Sequence, residues 1–484
     1  MAQVPWTVAK VPSEKTKTKI VCTIGPSTSS RQMMRRLVKA GMNVARLNFS
    51  HGTTGEHTSK IRLIRTVAQE LDTTIGILVD LPGPKIRVGT VSPEPVDLKE
   101  GAQIILTGRH VIGNQKIVSI SHPSVLKELS KGDLVSLEDG TIELMAQQKR
   151  NSDLVCRVIR GGALFSGKGV NIPSKKLRLK ALTSNDIKLL RFALQNEVDF
   201  VGLSFVTTHA DVLRAKKIME ESGSKAWAIA KIERRQAVDD IDEIVEIADG
   251  IMVARGDLGV EMEIEDIPVL QKRIIEKANT AGKPAITATQ MLESMVTNPT
   301  PTRAEVTDIA NAIIDGSDAI MLSEETAVGR YPIEAVSVMK RVATVTEQNL
   351  PYRALLDSRR ALLGGVVQDS ISLSACEVAF ELGVDCIVAH TRTGLTAHRV
   401  SKFRSSVPII ALTHNKAVMN RLTLLWGVYP YQVRKLSTTA EIFAAARTAA
   451  LGSKTVRKGE RFVVVCGDPS TPGGTTDLLR VQVA

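Results

Sequence analysis

Eight short apolar, β-branched runs recur along the first two thirds of the chain, and this recurrence limits its fold more than any other feature. They are "KIVCTIG" (19–25), "MNVARLNFS" (42–50), "IGILVDLPG" (75–83), "FVGLSF" (200–205), "AWAIAKIE" (226–233), "DGIMVARGD" (249–257), "PAITATQM" (284–291) and "DAIMLSEE" (318–325). Between most of them lie amphipathic segments such as "SRQMMRRLVKAGM" and "IPVLQKRIIEKANTAGK", each closed by the glycine that commonly follows a helix. Nearly continuous apolar strands alternating with helices describe an α/β fold, a (β/α)8 TIM barrel, whose active site is expected at the C-terminal ends of the strands.

One connection is too long for this pattern. From residue 88 to 168 the text changes to alternating pieces, "AQIILTG", "QKIVSIS", "DLVSLEDGTIEL" and "LVCRVIRGG", with turns between them. An all-β lid inserted after the third strand is expected there. The barrel is then read as residues 1–87 and 169–345. Residues 346–484 read as a separate α/β domain, in which "VDCIVAHTRTGLTAHRVSKFR" and "RFVVVCGDPSTPGGTT" are strands feeding phosphate-sized loops.

The 484 residues exceed one ordinary core, and 43% apolar content is enough to fill several. The 63 Lys+Arg outnumber the 51 Asp+Glu, giving a formal +12, yet basic and acidic residues interleave and aromatics are only 3%. That balance suits small polyanions better than nucleic acid, whose bases need stacking platforms. The five cysteines (Cys22, Cys156, Cys376, Cys386, Cys466) form no CxxC pair, the N-terminus lacks a signal-peptide core, and no run approaches a membrane span. A reduced cytoplasmic protein, neither secreted nor inserted in a membrane, is expected.

In a strand, residues i and i+2 share a face, so Lys231 and Glu233 in "AIAKIERR" should stand side by side at a strand end. An isolated pair of this kind is as readily a structural ion pair. The other strand ends, however, add Arg46, Asn48, Ser50 and His51; Asp80, Lys85 and Arg87; Asp257; Thr289; and Ser323 with Glu325. Glu233 and Asp257 leave adjacent strands and can share one hard divalent ion, which keeps its other positions for water and substrate oxygens, as Mg2+ does. Lys231 and Arg46 would then neutralise an anion bridging that metal.

Taken in order, "RLNFSHG", "KIERRQAV", "MVARGDLGVE", "ATQMLESM", "PTRAEVTDIANAIIDG" and "GGTTD" resemble the pyruvate kinases, over a stretch from about Lys19 to the C-terminus. The resemblance implies a barrel, an inserted β-lid and a C-terminal regulatory domain, assembled as a homotetramer. It implies transfer of a phosphoryl group from phosphoenolpyruvate to ADP, giving pyruvate and ATP, with Mg2+ (or Mn2+) on Glu233 and Asp257. Lys231, Arg46 and Thr289 become the catalytic set. Gly256, Asp257, Arg46, Lys231 and Thr289 become the substrate contacts, and Asn48, His51, Arg87 and Lys168 the nucleotide side. Asn48, Ser50, Asp80 and the Leu81 carbonyl match a monovalent-cation position. A phosphorylated effector is expected against Thr391, Arg392, Thr393, Gly394, Thr396 and Gly473.

The chain departs from the commoner family pattern in three places. "DLPGPKIR" carries Lys85 where many members have glutamate, so an ammonium can substitute for K+ and K+ should not be required. Glu324 stands where glycine is common, and Thr207 and Thr208 replace a frequent arginine. Two other classes compete with this reading. One is a different barrel enzyme acting on an enolpyruvate or 2-oxo acid; the other is a non-catalytic basic scaffold. The lid and C-terminal domain count against the first, and intact Lys231, Glu233, Asp257 and Thr289 against the second.

Overall fold

The computed structural model describes residues 16–172, 180–361, 363–469 and 475–484. Eight parallel strands close into a barrel in chain order: β1 (Lys19–Thr23), β2 (Val44–Asn48), β3 (Gly76–Asp80), β4 (Phe200–Leu203), β5 (Trp227–Ile232), β6 (Gly250–Ala254), β7 (Ala285–Ala288) and β8 (Ala319–Leu322), the last pairing back to β1. The alternation of the strands sorts their side chains into two cores. Val21, Val44, Leu78, Phe200, Ile229, Met252, Ile286 and Met321 fill the interior, while Ala228, Ala230 and Ile232 pack outward with the apolar helix faces.

Several strands are shorter than their apolar runs. β6 ends at Ala254, and "RGDLGVE" turns at once into helix α1 (Arg255–Glu261). β8 ends at Leu322, followed by one helical turn at Glu324–Ala327. The reason is the sharp corner that each chain makes on leaving the barrel, which local composition does not encode.

The insertion folds as a six-stranded sheet, in the order Val170–Asn171, Leu134–Leu137, Ile142–Arg150, Asp153–Arg160, Gln103–Thr107, Ile117–Ser119. Beside it lies a small ladder of Val96–Leu98 with Gly162–Leu164. The strand at Val170–Asn171 pairs with Leu134–Leu137, so the lid's sheet continues past Lys168. The lid closes down on the barrel mouth, where the turn at Glu138–Gly140 packs against α1.

Helix α2 (Pro332–Gln348) runs through residue 345 and carries the barrel into the C-terminal part. There a five-stranded sheet has the order β11-β10-β9-β12-β13, comprising β9 (Ile387–His390), β10 (Ile409–Thr413), β11 (Val428–Gln432), β12 (Arg461–Cys466) and β13 (Leu478–Val483), with only β13 antiparallel.

This sheet and its helices seal the end of the barrel opposite the lid. Leu424 joins the interior layer, and Gly76 approaches Thr423 so closely that a Cβ there would lie 2.5 Å from its hydroxyl. Burying Leu424 fully contributes about 2 kcal/mol. Arg404 donates to both oxygens of Asp318, at 2.7 and 2.8 Å, and lies over the Trp426 ring. Lys19, 1% exposed, donates to the Val428 carbonyl at 2.7 Å. Among the described residues the five cysteines are buried thiols with no disulfide between them, and no helix is long and apolar enough to cross a membrane.

Candidate active site

The polar mouth sits one strand step above the apolar interior. Val21 precedes Thr23 by two residues, Val44 precedes Arg46, Leu78 precedes Asp80 and Ile229 precedes Lys231, so each polar side chain points inward over its apolar neighbour. Arg46 Nε donates to Asp80 Oδ2 at 3.0 Å, and Nη1 donates to the Thr23 hydroxyl at 3.0 Å. Lys231 Nζ lies 3.2 Å from the same Asp80 oxygen, 2.6 Å from Glu233 Oε1 and 2.8 Å from the Ser204 hydroxyl. The expected Lys231–Glu233 neighbourhood is therefore present, with Asp80 as a further partner.

β4 lies between Asp80 on β3 and Lys231 on β5, and these two meet because Gly202, paired with Asp80, has no side chain. A Cβ at Gly202 would lie 2.6 Å from Asp80 Oδ1. The burial of this cluster sets its proton affinities. Burial alone would raise Asp80, but Lys231 and Arg46 outweigh it and hold its carboxyl below the usual range. Burial alone would lower Lys231, but Asp80 and Glu233 overcome it and push the ammonium pKa up. Glu233 is raised, by burial first and then by the Asp257 charge acting against the pull of Lys231.

Glu233, 1% exposed, also accepts from the Phe205 amide at 2.6 Å. Ser204 and that amide belong to the site although the sequence reading passed over them. Their signal was the polar step in "LSF" at the end of β4 and the positive φ of Phe205, 54°. Asp257 lies in the first turn of α1, and not at the end of the strand as the apolar run had implied. Its Oδ1 is 3.0 Å from Lys85 Nζ.

This contact corrects the place expected for Lys85. Asp80, expected at the monovalent-cation position, is neutralised by Arg46 and Lys231, while the ion-pair partner of Lys85 is Asp257. Lys85 follows β3 in the connection to the lid, passes 6.0 Å from the Phe205 ring centre and reaches across to α1. At the same position, Asn48 Oδ1 accepts from the Ser50 amide, the Leu81 amide donates to Gly202, and Asp80 Oδ1 is buried with no hydrogen-bond partner.

Thr289 just past β7 has φ +72°, a strained conformation for a β-branched residue. Its hydroxyl accepts from the Gly256 amide at 2.8 Å, and Arg255 donates to its carbonyl at 2.7 Å. A Cβ at Gly256 would meet nothing closer than the Thr289 side chain at 3.6 Å, so packing does not demand the glycine. Glu325 is fully buried and accepts from the Leu292 and Ser323 amides, which makes it a support for the β7 and β8 loops.

The residues expected on the nucleotide side are more scattered. Arg87 donates to the Gly167 carbonyl at 2.8 Å, Lys168 pairs with Glu138 at 2.8 Å, and His51 is exposed with its carbonyl against the His57 ring. In the C-terminal domain, Thr391 Oγ1 accepts from the Gly394 amide at 2.9 Å. Gly394, at φ +100°, starts helix α3 (Leu395–Lys402), and Thr396 meets Thr476 hydroxyl to hydroxyl at 2.9 Å. Arg392 and Thr393 are exposed; Gly473 lies outside the described residues.

Two carboxylates, Glu233 and Asp257, face the mouth close enough for one to raise the other's proton affinity. Among the described residues no group of three or more His, Cys, Asp or Glu could hold a metal ion. Glu233 and Asp257 offer carboxylate oxygens alone, the donor chemistry of a hard cation that takes its remaining ligands from water and substrate.

Comparison with known proteins agrees with this architecture. Residues 15–336 match the family model described as "Pyruvate kinase, barrel domain", and residues 369–482 match "Pyruvate kinase, alpha/beta domain". The pyruvate kinase of Thermococcus litoralis is 45% identical over 480 residues, 98% of this chain and 99% of its own length. That of Clostridium acetobutylicum is 41% identical over 469 residues, 96% and 99% respectively. That of Geobacillus stearothermophilus is 44% identical over 472 residues, 97% of this chain and 80% of the relative. With both of its family models matched and its relatives aligned nearly end to end, the chain belongs to the pyruvate kinase family.

Proposed function

We propose that the chain transfers the phosphoryl group of phosphoenolpyruvate to ADP, yielding pyruvate and ATP as the last step of glycolysis. The observation that carries this reading is the buried Arg46–Asp80–Lys231–Glu233 cluster beside Asp257, at the strand ends of a pyruvate kinase barrel. A loose phosphoryl-transfer transition state spreads charge over equatorial oxygens, so fixed cations accelerate it without a protein nucleophile. Lys231, kept protonated by Asp80 and Glu233, supplies one such cation, and Arg46 orients the phosphate. Glu233 and Asp257 would hold Mg2+, or Mn2+, which when bound would offset the negative charge of the phosphoryl group. The Gly256 amide and the Thr289 hydroxyl would receive the carboxylate end of the substrate.

On this reading residues 88–168 form most of the lid that shields the transfer, with Arg87 and Lys168 meeting the nucleotide together with Asn48 and His51. Residues 346–484 form a regulatory domain whose Thr391–Thr396 loop takes a phosphorylated metabolite, in a cytoplasmic homotetramer. We infer K+ independence from charge: Asp80 already has two cationic partners, and Lys85 adds a further cation to the same mouth. A lactate-dehydrogenase-coupled assay with phosphoenolpyruvate and ADP tests the reaction. Run in tetramethylammonium buffers free of K+, it should keep its rate, and Lys85→Glu should acquire a K+ requirement. No NADH consumption would refute the activity; wild-type activity that collapses without K+ would refute the cation inference alone.

A further inference from the structure

The mouth carries three carboxylates, Asp80, Glu233 and Asp257, and three cations in contact with them, Arg46, Lys231 and Lys85. Every one of these carboxylates therefore has a cationic partner within the protein. A divalent ion binding at Glu233 and Asp257 has to displace an ammonium from its own ligands, Lys231 from the first and Lys85 from the second.

The three cations differ in how easily they can yield. Arg46 and Lys231 side chains are 11% and 10% exposed, and both are fixed by several bonds. The Lys85 side chain is 29% exposed and its single ion pair goes to Asp257, itself 23% exposed. Lys85 also sits where the lid joins the barrel. Its neighbour Ile86 accepts a hydrogen bond from the Val170 amide, and Arg87 bridges to Gly169 on the lid's returning segment. A change in lid position thus acts on the chain next to Lys85 through Ile86 and Arg87.

Building on the metal pair proposed above, we propose that Lys85 is a placeholder cation. In the free enzyme its ammonium occupies the Asp257 carboxylate and holds off divalent-ion binding until the negative charge of phosphoenolpyruvate draws the ammonium away. Lys85 is then a positioning residue that makes metal and substrate binding mutually dependent. Because the coupling is thermodynamic, substrate tightens metal by the same factor as metal tightens substrate, and Lys85 enlarges that factor.

The test is direct Mn2+ binding to the full chain, followed by the electron paramagnetic resonance signal of free Mn2+, with and without phosphoenolpyruvate. Wild type should bind Mn2+ weakly alone and at least tenfold more tightly with phosphoenolpyruvate. Lys85→Met should tighten Mn2+ binding without substrate by at least tenfold and reduce the phosphoenolpyruvate effect correspondingly. Lys85→Arg, which keeps the charge, should behave as wild type, and thermal melts of all three report that they are folded. The proposal is overturned if Lys85→Met binds Mn2+ within twofold of wild type in the absence of substrate. If wild type and Asp257→Ala bind Mn2+ equally well with phosphoenolpyruvate present, the metal pair itself is misassigned and the placeholder falls with it.

Discussion

Replacing Lys231 with methionine removes the cation shared by Asp80 and Glu233 while keeping much of the side-chain volume. Arg46 still pairs with Asp80, but Glu233 keeps only the Phe205 amide and becomes an uncompensated carboxylate at 1% exposure. Breaking a buried pair from one side costs about 3–5 kcal/mol, much of a typical domain's stability. The cheapest relief is a proton on Glu233, whose pKa is already raised by burial and by Asp257. A carboxyl with a folded pKa above its unfolded one favours folding in its protonated form. The stability defect should therefore shrink as pH falls through the folded pKa of Glu233 and be full above it.

Urea unfolding at pH 4.5, the ordinary glutamate value, and at pH 8.5 reads this directly, with wild type at each pH as reference. Steady-state kinetics on the same variant should show kcat lower by orders of magnitude with a smaller change in KM, because the ammonium acts mainly on the transition state. A defect below about 1 kcal/mol, far under the range for a broken buried pair, would refute the electrostatic reasoning. An equal defect at both pH values would refute it too. A raised KM with unchanged kcat would make Lys231 a ground-state binder.

Asp257→Ala should abolish turnover while leaving the urea midpoint near that of wild type, since the side chain is partly exposed and β6 remains packed; near-normal activity at saturating Mg2+ would contradict the metal pair. Burial lowers the Lys19 pKa from 10.5 to about 7, against the opposing pull of Glu347 and Asp318, so the folded chain binds fewer protons than the unfolded one between those values. Stability from this group should rise with pH across that window, and Lys19→Met should flatten the rise and gain most at the acidic end; unfolding curves with unchanged pH slope would exclude this. Thr396→Glu places a charge where two buried hydroxyls now meet, so it should weaken activation by a sugar phosphate or nucleoside monophosphate in calorimetry and kinetics; unaltered activation would assign the loop another role.

The strand periodicity made most of the site legible in advance. Lys231 and Glu233 could be paired from their i, i+2 spacing, and Arg46 and Asp80 could be assigned to the mouth because each follows an apolar run. What spacing cannot supply is reach between strands. The Asp80–Lys231 contact depends on the missing side chain at Gly202, on the strand that lies between the two motifs. Lys85 was read as a charge near Asn48 and Ser50 because these share a motif family, yet its four-carbon stem carries the ammonium to Asp257 on the far side. Asp257 itself was read at a strand end, because nothing in "VARGDLGVE" marks the corner where strand becomes helix. The sealing of the barrel by Leu424 was equally hidden, as a leucine in a helical context has no mark distinguishing one core from another.

That seal imposes an order on biogenesis. The ammonium of Lys19, on the first barrel strand to leave the ribosome, rests on a carbonyl 409 residues later in the chain. At synthesis rates of about 5–20 residues per second, the interval between them lasts roughly 20–80 s. Throughout it the interior layer around Val21, Val44 and Leu78 has no floor, since Leu424 has not yet been made. The nascent strands thus expose apolar surface for tens of seconds, the surface that chaperones recognise, and the first of them reaches its final environment among the last.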